Sequence, residues 1–203
     1  HDGFGKETIP AFLKVLREPR DGQPGLYLLA EVKGPGAIAR GWSAAMAGIL
    51  RVYVDPKGDA ADANKAGLIW EGNGYDFLAR RSSNYLQSAG VQLDAGDAFI
   101  QQDADYLPIP FARGLRVTWE GQINEVHFYH LQVREYAKGT KVRTFDPKKD
   151  LKEFEPQLRA AVAGLTKPSS ERPLSLALSP SDGERVAEGR ERGVSQKLEA
   201  IIA

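Results

Sequence analysis

DYLPIPFARGLRVTWEGQINEVHFYHLQVREY, residues 105–136, is the stretch that decides the fold. Leu115, Val117 and Trp119 alternate with Arg116, Thr118 and Glu120. A period of two gives one buried and one wet face, which predicts a strand. Glu120-Gly121-Gln122 breaks the run. Residues 123–136 then resume with Val, Phe, Tyr and Leu, residue types that suit strands. The spacing predicts an antiparallel hairpin with Gly121 in its turn. Upstream, residues 106–111 carry Pro108 and Pro110. Proline cannot donate to a ladder, so this piece is expected at a sheet edge. Three linked strands of this kind predict a β-sandwich.

The pattern continues toward the N-terminus. In 26–33, Leu26, Leu28, Ala30 and Val32 are expected on one face, and Gly34-Pro35-Gly36 ends the run. Strands are expected again at 38–43 and 49–54, the latter closed by Asp55-Pro56. Residues 9–16 are apolar but short, so helix and strand both stay open. Residues 72–90 are the least strand-like part of this half, and 76–88 reads as a short helix or a structured loop. Such excursions between strands often carry function. Further strands are expected within 91–101 and at 141–145.

The chemistry changes after residue 147. Leu151, Phe154, Leu158, Val162 and Leu165 fall at helical spacing, which predicts an amphipathic helix within 148–166. Residues 167–193 hold three prolines and an alternating charge string, and 194–203 regain a short apolar pattern. The expected organisation is a sandwich over 1–147, a helix over 148–166, an exposed insert over 167–193 and the start of a truncated segment over 194–203.

Composition narrows the classes. Lys+Arg 27 balances Asp+Glu 27, so no basic field for nucleic acid or anionic membrane is implied. With 42% hydrophobic residues the chain can build a core. No apolar run approaches the roughly 20 residues of a membrane span. Absent cysteine excludes disulfides and thiolate metal sites and leaves the compartment open. The start at His1, without methionine or signal peptide, is expected to be an incomplete one.

One rival motif points elsewhere. Gly34-Pro35-Gly36-Ala37-Ile38-Ala39 fits G-x-G-x-x-A after a strand, and Asp55 lies where a ribose-binding acid would be. That reading makes a dinucleotide-binding domain. Against it, Pro35 removes an N–H from the phosphate loop, and no strand–helix alternation follows Asp55. A turn between strands explains the glycines more simply.

Other candidates are weighed by position. His127 and His130 are three apart on a strand, so they cannot chelate one metal together. Asp94, Asp97, Asp103 and Asp105 read as a solvated acidic loop. Trp119 is in phase with Leu115 and Val117 and is expected in the core. Trp42, beside Arg40 and just after a turn, is the better aromatic for stacking on a sugar ring. Glu71, at the start of the 72–90 excursion, is placed like a site residue. No metal or cofactor is called for.

Several short motifs keep a common order: Asp2-Gly3-Phe4, Leu29-Ala30-Glu31-Val32-Lys33-Gly34-Pro35-Gly36, Arg40-Gly41-Trp42, Leu50-Arg51-Val52-Tyr53-Val54-Asp55, Tyr106-Leu107-Pro108-Ile109-Pro110-Phe111, Phe128-Tyr129 and Gly139-Thr140-Lys141-Val142. Together they resemble the first half of glycoside hydrolase family one hundred and seventy-two, over roughly residues 2–165. The resemblance implies a tandem pair of jelly rolls assembled as trimers or multiples of them. It implies retaining cleavage of fructofuranoside or arabinofuranoside linkages, including difructose anhydrides, by a pair of glutamates. Those glutamates would belong to a second jelly roll, so no catalytic residue is carried over. Asp2, Arg40 and Trp42 match motif positions and are expected, with Glu71, to bind carbohydrate. Where the family has an Asp-Leu-Phe-Gly type stretch, this chain reads Trp70-Glu71-Gly72-Asn73.

Residues 173–193, PLSLALSPSDGERVAEGRERG, resemble the translated copy of an interspersed repeat of bacterial genomes. Such a copy is tolerated only on a surface. A bacterial, secreted or periplasmic protein is consistent with these resemblances. The expected fold is therefore a mainly-β jelly roll with one C-terminal helix. The expected role is part of a furanoside-active hydrolase, with a non-catalytic carbohydrate-binding or assembly domain as the alternative.

Overall fold

A computed structural model of the chain describes residues 12–59, 66–123 and 126–166. Among these residues the chain order is β1 (Lys14–Arg17), β2 (Gly25–Lys33), β3 (Gly36–Met46), β4 (Ile49–Val54) and β5 (Leu68–Asn73). Then come α1 (Gly74–Ala89), α2 (Gly96–Phe99), β6 (Ile100–Gln101), β7 (Ala104–Asp105) and β8 (Ile109–Phe111). The last are β9 (Gly114–Gly121), β10 (Val126–Glu135), α3 (Asp150–Glu153) and α4 (Glu155–Thr166). The expected insert at 167–193, the segment 194–203 and Asp2 lie outside the described residues.

The strands form two antiparallel sheets. The first has the order β1-β2-β9-β4-β5; the second has β10-β3-β7-β6, with β8 also paired to β3. The fold is the expected mainly-β, jelly-roll-like sandwich. Leu28, Val52, Leu115, Val117 and Trp119 are all buried.

The hairpin expected around Gly121 does not form. Both edges of β9 are occupied, by β2 and by β4, so β10 has nowhere to pair and crosses to the second sheet against β3. The same happens elsewhere. The Gly34-Pro35 link carries the chain from β2 to β3 across the sandwich, and the 112–113 link runs beside it from β8 back to β9. Gly34 N donates to Arg113 O across that corner at 2.8 Å. At another corner Trp119 Nε1 donates to Ala47 O at 2.7 Å.

The dinucleotide reading is overturned by these pairings. Residues 36–46 are a strand, not a helix, and both sheets are antiparallel. Asp55 is a corner clamp instead. Its Oδ1 accepts from Arg113 N at 2.6 Å and Gly114 N at 3.0 Å, and its Oδ2 accepts from the Thr144 hydroxyl.

Residues 76–88 resolve as helix. Asn73 caps α1 by accepting from the N–H groups of Tyr75 and Asp76, and Gly90 closes it at φ 69°. A β-bulge between Leu28 and Ala30 breaks the simple alternation of β2, so Tyr27, not Leu28, pairs with Trp119. The strand expected at 141–145 is absent. Phe145 N donates to Pro110 O, but Pro110 has no N–H to return, so no ladder grows. In 91–101 the expected strand is reduced to β6, after the short α2.

The single helix expected in 148–166 is two, α3 and α4, joined at Phe154. Pro156 explains the break: its ring crowds the carbonyl one turn back, and it has no N–H to continue the ladder. Leu151, Leu158 and Val162 are buried as the stripe predicts.

The acidic run is not a uniformly solvated loop. Asp105 is fully buried. Its carboxylate accepts from Ser82 N, from the Ser82 hydroxyl and from Leu107 N. Arg81, also fully buried, lies 3.7 Å from it and grips Leu107 O through Nε at 2.9 Å and Nη2 at 2.7 Å. Burial pulls the Arg81 guanidinium down in pKa, and Asp105 opposes that pull.

Candidate functional site

The Arg40-Gly41-Trp42 motif lies in the middle of β3. Alternation sends Arg40 and Trp42 to one face and Gly41 and Ser43 to the other. Gly41 has a steric reason to be glycine. A Cβ there would sit 2.6 Å from Leu78 O and 2.8 Å from Arg81 Nη1, because α1 presses on the strand backbone. The motif thus has two jobs: glycine admits the helix, while its neighbours are displayed on the opposite side.

Cross-strand register fixes what stands beside them. His130 and Ala104 pair with Trp42 from β10 and β7, and Gln132 pairs with Arg40. The Gly41–Asp105 pair places Tyr106 next to Arg40, and Gln101 pairs with Ala104. Paired residues share a face. The outer face of the second sheet therefore displays Arg40, Trp42, Gln101, Tyr106, His130 and Gln132.

The contacts within this group are specific. Trp42 meets His130 edge-on, with ring centroids 5.6 Å apart. Arg40 lies over the Tyr106 ring at 5.6 Å and donates from Nε to the Tyr106 hydroxyl at 3.2 Å. The Tyr106 hydroxyl in turn donates to Gln101 Oε1 at 3.3 Å. Tyr106 is itself held, since its N–H donates to Phe99 O and its neighbours Asp105 and Leu107 are the residues fixed by Ser82 and Arg81.

Half-buried aromatics beside a cation and amide side chains make a surface suited to a polar ring with hydroxyl groups. Residues 1–153 match the family model described as the GH172 first beta-sandwich domain. The chain belongs to that family. No curated protein matches the chain, and no solved structure does.

On this GH172 sandwich the predicted site residues separate. Arg40 and Trp42 are side by side. Glu71 is on β5 of the other sheet, where Arg51 Nε is 3.4 Å away. Arg51 also donates to Glu120 at 2.8 Å, and Arg17 donates to the other oxygen of Glu120. Burial alone would raise the Glu120 pKa, but the hydrogen bonds from Arg51 and Arg17 hold it below the ordinary carboxylate value. That is the opposite of what a general acid needs. Among the described residues no group of three or more His, Cys, Asp or Glu could hold a metal ion.

Sequence reasoning missed Tyr106, Gln101 and Gln132. Their place beside Arg40 depends on which strands pair, and only the register of β3 with β7 and β10 reveals it.

Proposed function

We propose that this sandwich is the N-terminal part of a retaining glycoside hydrolase acting on fructofuranoside or arabinofuranoside linkages. It contributes fold, assembly and one wall of the substrate pocket, and assembles as a trimer or a multiple of one. The observation that carries this reading is the Arg40–Trp42–Tyr106 face on a sandwich of a family named for glycoside hydrolysis. A retaining mechanism needs two carboxyl groups about 5–5.5 Å apart, one as nucleophile and one as acid/base. Glu31, Glu71 and Glu120 are instead each within ion-pair distance of an arginine. That supports placing the catalytic pair in a second jelly roll and giving this chain a binding role. Among the described residues the Arg40–Trp42–Tyr106 face includes no acid, which favours the alternative of a non-catalytic carbohydrate-binding or assembly domain.

The test incubates the chain, alone and continued by a second sandwich, with an aryl furanoside and a difructose anhydride. The chain alone is expected to show no turnover. Turnover by the chain alone that is abolished in Glu71→Gln would move the active site into this half. Light scattering checks the assembly.

A further inference from the structure

Arg40 differs from most arginines of the chain. Arg17, Arg51, Arg116, Arg143 and Arg159 each have a carboxylate within ion-pair distance. Arg40 has none among the described residues. Its one hydrogen bond there runs from Nε to a neutral phenol, Tyr106. Arg40 is half-buried, and its guanidinium lies against the same ring. The residues that stand around it on the face, Trp42, Gln101, Ala104, Tyr106, His130 and Gln132, include no acid. Among the described residues the face therefore holds a half-buried cation with no counter-ion and with both terminal nitrogens uncommitted.

A guanidinium in that state matches one ligand geometry well. Two parallel N–H donors fit the two oxygens of a carboxylate, and such charge-assisted pairs are about twice as strong as neutral ones. Leaving a half-buried cation unpaired costs free energy, which a bound carboxylate would return. The support behind Arg40 is built for holding it still. Tyr106 restrains Nε, Gln101 restrains the Tyr106 hydroxyl, and the buried Arg81 and Asp105 clamp the backbone on both sides of Tyr106. A fork fixed from behind loses little freedom when a ligand engages it.

We propose that this face binds an acidic sugar, with Arg40 taking the carboxylate of a uronate residue and Trp42 carrying the ring. The inference rests on the reading of the face as carbohydrate-binding and goes beyond it, since furanoside cleavage requires no charge on the ligand. Tyr106 is a positioning residue here: it sets the direction of the fork. Gln132, paired with Arg40 across the strands, is placed to meet a ring hydroxyl.

The test compares methyl glucuronide with methyl glucoside, which differ by a carboxylate against a hydroxymethyl group. Binding to the chain is followed by NMR through the Trp42 indole and the arginine Nε–H signals. The glucuronide should bind at least about tenfold tighter, the size of one charge-assisted hydrogen bond, and added salt should erode the preference. Arg40→Gln should abolish the preference, so that the variant binds glucuronide and glucoside with equal affinity. Tyr106→Phe keeps the ring and the cation but frees the fork, and should cut the preference severalfold with an unchanged melting temperature. Trp42→Ala should weaken both ligands. Equal affinity of the wild type for the two sugars would overturn the inference and leave the carbohydrate reading standing. Displacement of the glucuronide by acetate at equal concentration would also overturn it, because the site would then be reading a bare anion. Failure of both sugars to bind would remove the carbohydrate reading as well.

Discussion

Trp119 stacks on Tyr27 with 5.5 Å between ring centroids, and its indole N–H reaches across to the carbonyl of Ala47. One side chain thus fills the interior between strands β2 and β9 and also ties down the corner between β3 and β4. Trp119→Ala should destabilise the chain by about 3–5 kcal/mol, the usual cost of a large aromatic lost from a core. Denaturant titration measures it. A loss below about 1 kcal/mol would mean the corner and the core tolerate the cavity.

The buried pair of Arg81 and Asp105 should respond asymmetrically. Asp105→Ala leaves Arg81 charged and enclosed, along with the unmatched donors of Ser82 and Leu107. Removing one member of such a pair costs about 3–5 kcal/mol. Arg81→Met together with Asp105→Ala should cost less than the sum of the two single changes. A double-mutant cycle by equilibrium unfolding reads the coupling. Additive costs would show that the two residues act independently.

Glu120 predicts a definite pH signature. Its folded pKa lies below the ordinary value of 4.5 because Arg51 and Arg17 outweigh its burial. A depressed carboxylate contributes stability above its unfolded pKa and loses it as pH falls through the folded value. Wild type and Glu120→Gln should therefore differ by a constant amount at neutral pH and converge below about pH 4.5. Denaturant midpoints measured from pH 7 downward check this. A gap that widens on acidification would reverse the sign and contradict the assignment.

Asp55 predicts a local effect. Asp55→Ala removes the acceptor for Arg113 N, Gly114 N and the Thr144 hydroxyl, and places alanine at φ 50°. The expected cost is about 1–3 kcal/mol. Limited proteolysis should also show faster cleavage near residues 140–149, whose tether to the corner is lost. Unchanged cleavage would mean that Phe145 and Leu151 hold this segment unaided.

Much of the sandwich was legible in the sequence because burial on one face writes a period of two. Leu115, Val117 and Trp119 announced their strand, and residues 148–166 announced helix through Leu151, Leu158 and Val162. What a period of two cannot say is which strand lies next door. Gly121 looked like a hairpin turn because nothing in residues 115–136 reveals that β4 already occupies the edge of β9. The same blindness hid the site. Arg40 and Trp42 were visible as a motif, but Tyr106 reaches them only through the pairing of Gly41 with Asp105. Asp105 read as part of a solvated acidic loop, since a carboxylate looks costly to bury until Arg81 is placed beside it.

The repeated crossing between sheets has a consequence for biosynthesis. Glu31 on β2 meets Arg116 on β9, 85 residues later in the chain. Strand β3 likewise waits for β10. At the usual pace of synthesis, about 5–20 residues per second, the early strands leave the ribosome seconds before their neighbours exist. During that interval β2 and β3 present unpaired, apolar edges. Glu31 and Lys33 on β2 and Arg40 on β3 put charge on these waiting strands, the kind of side chain that discourages edge-to-edge association.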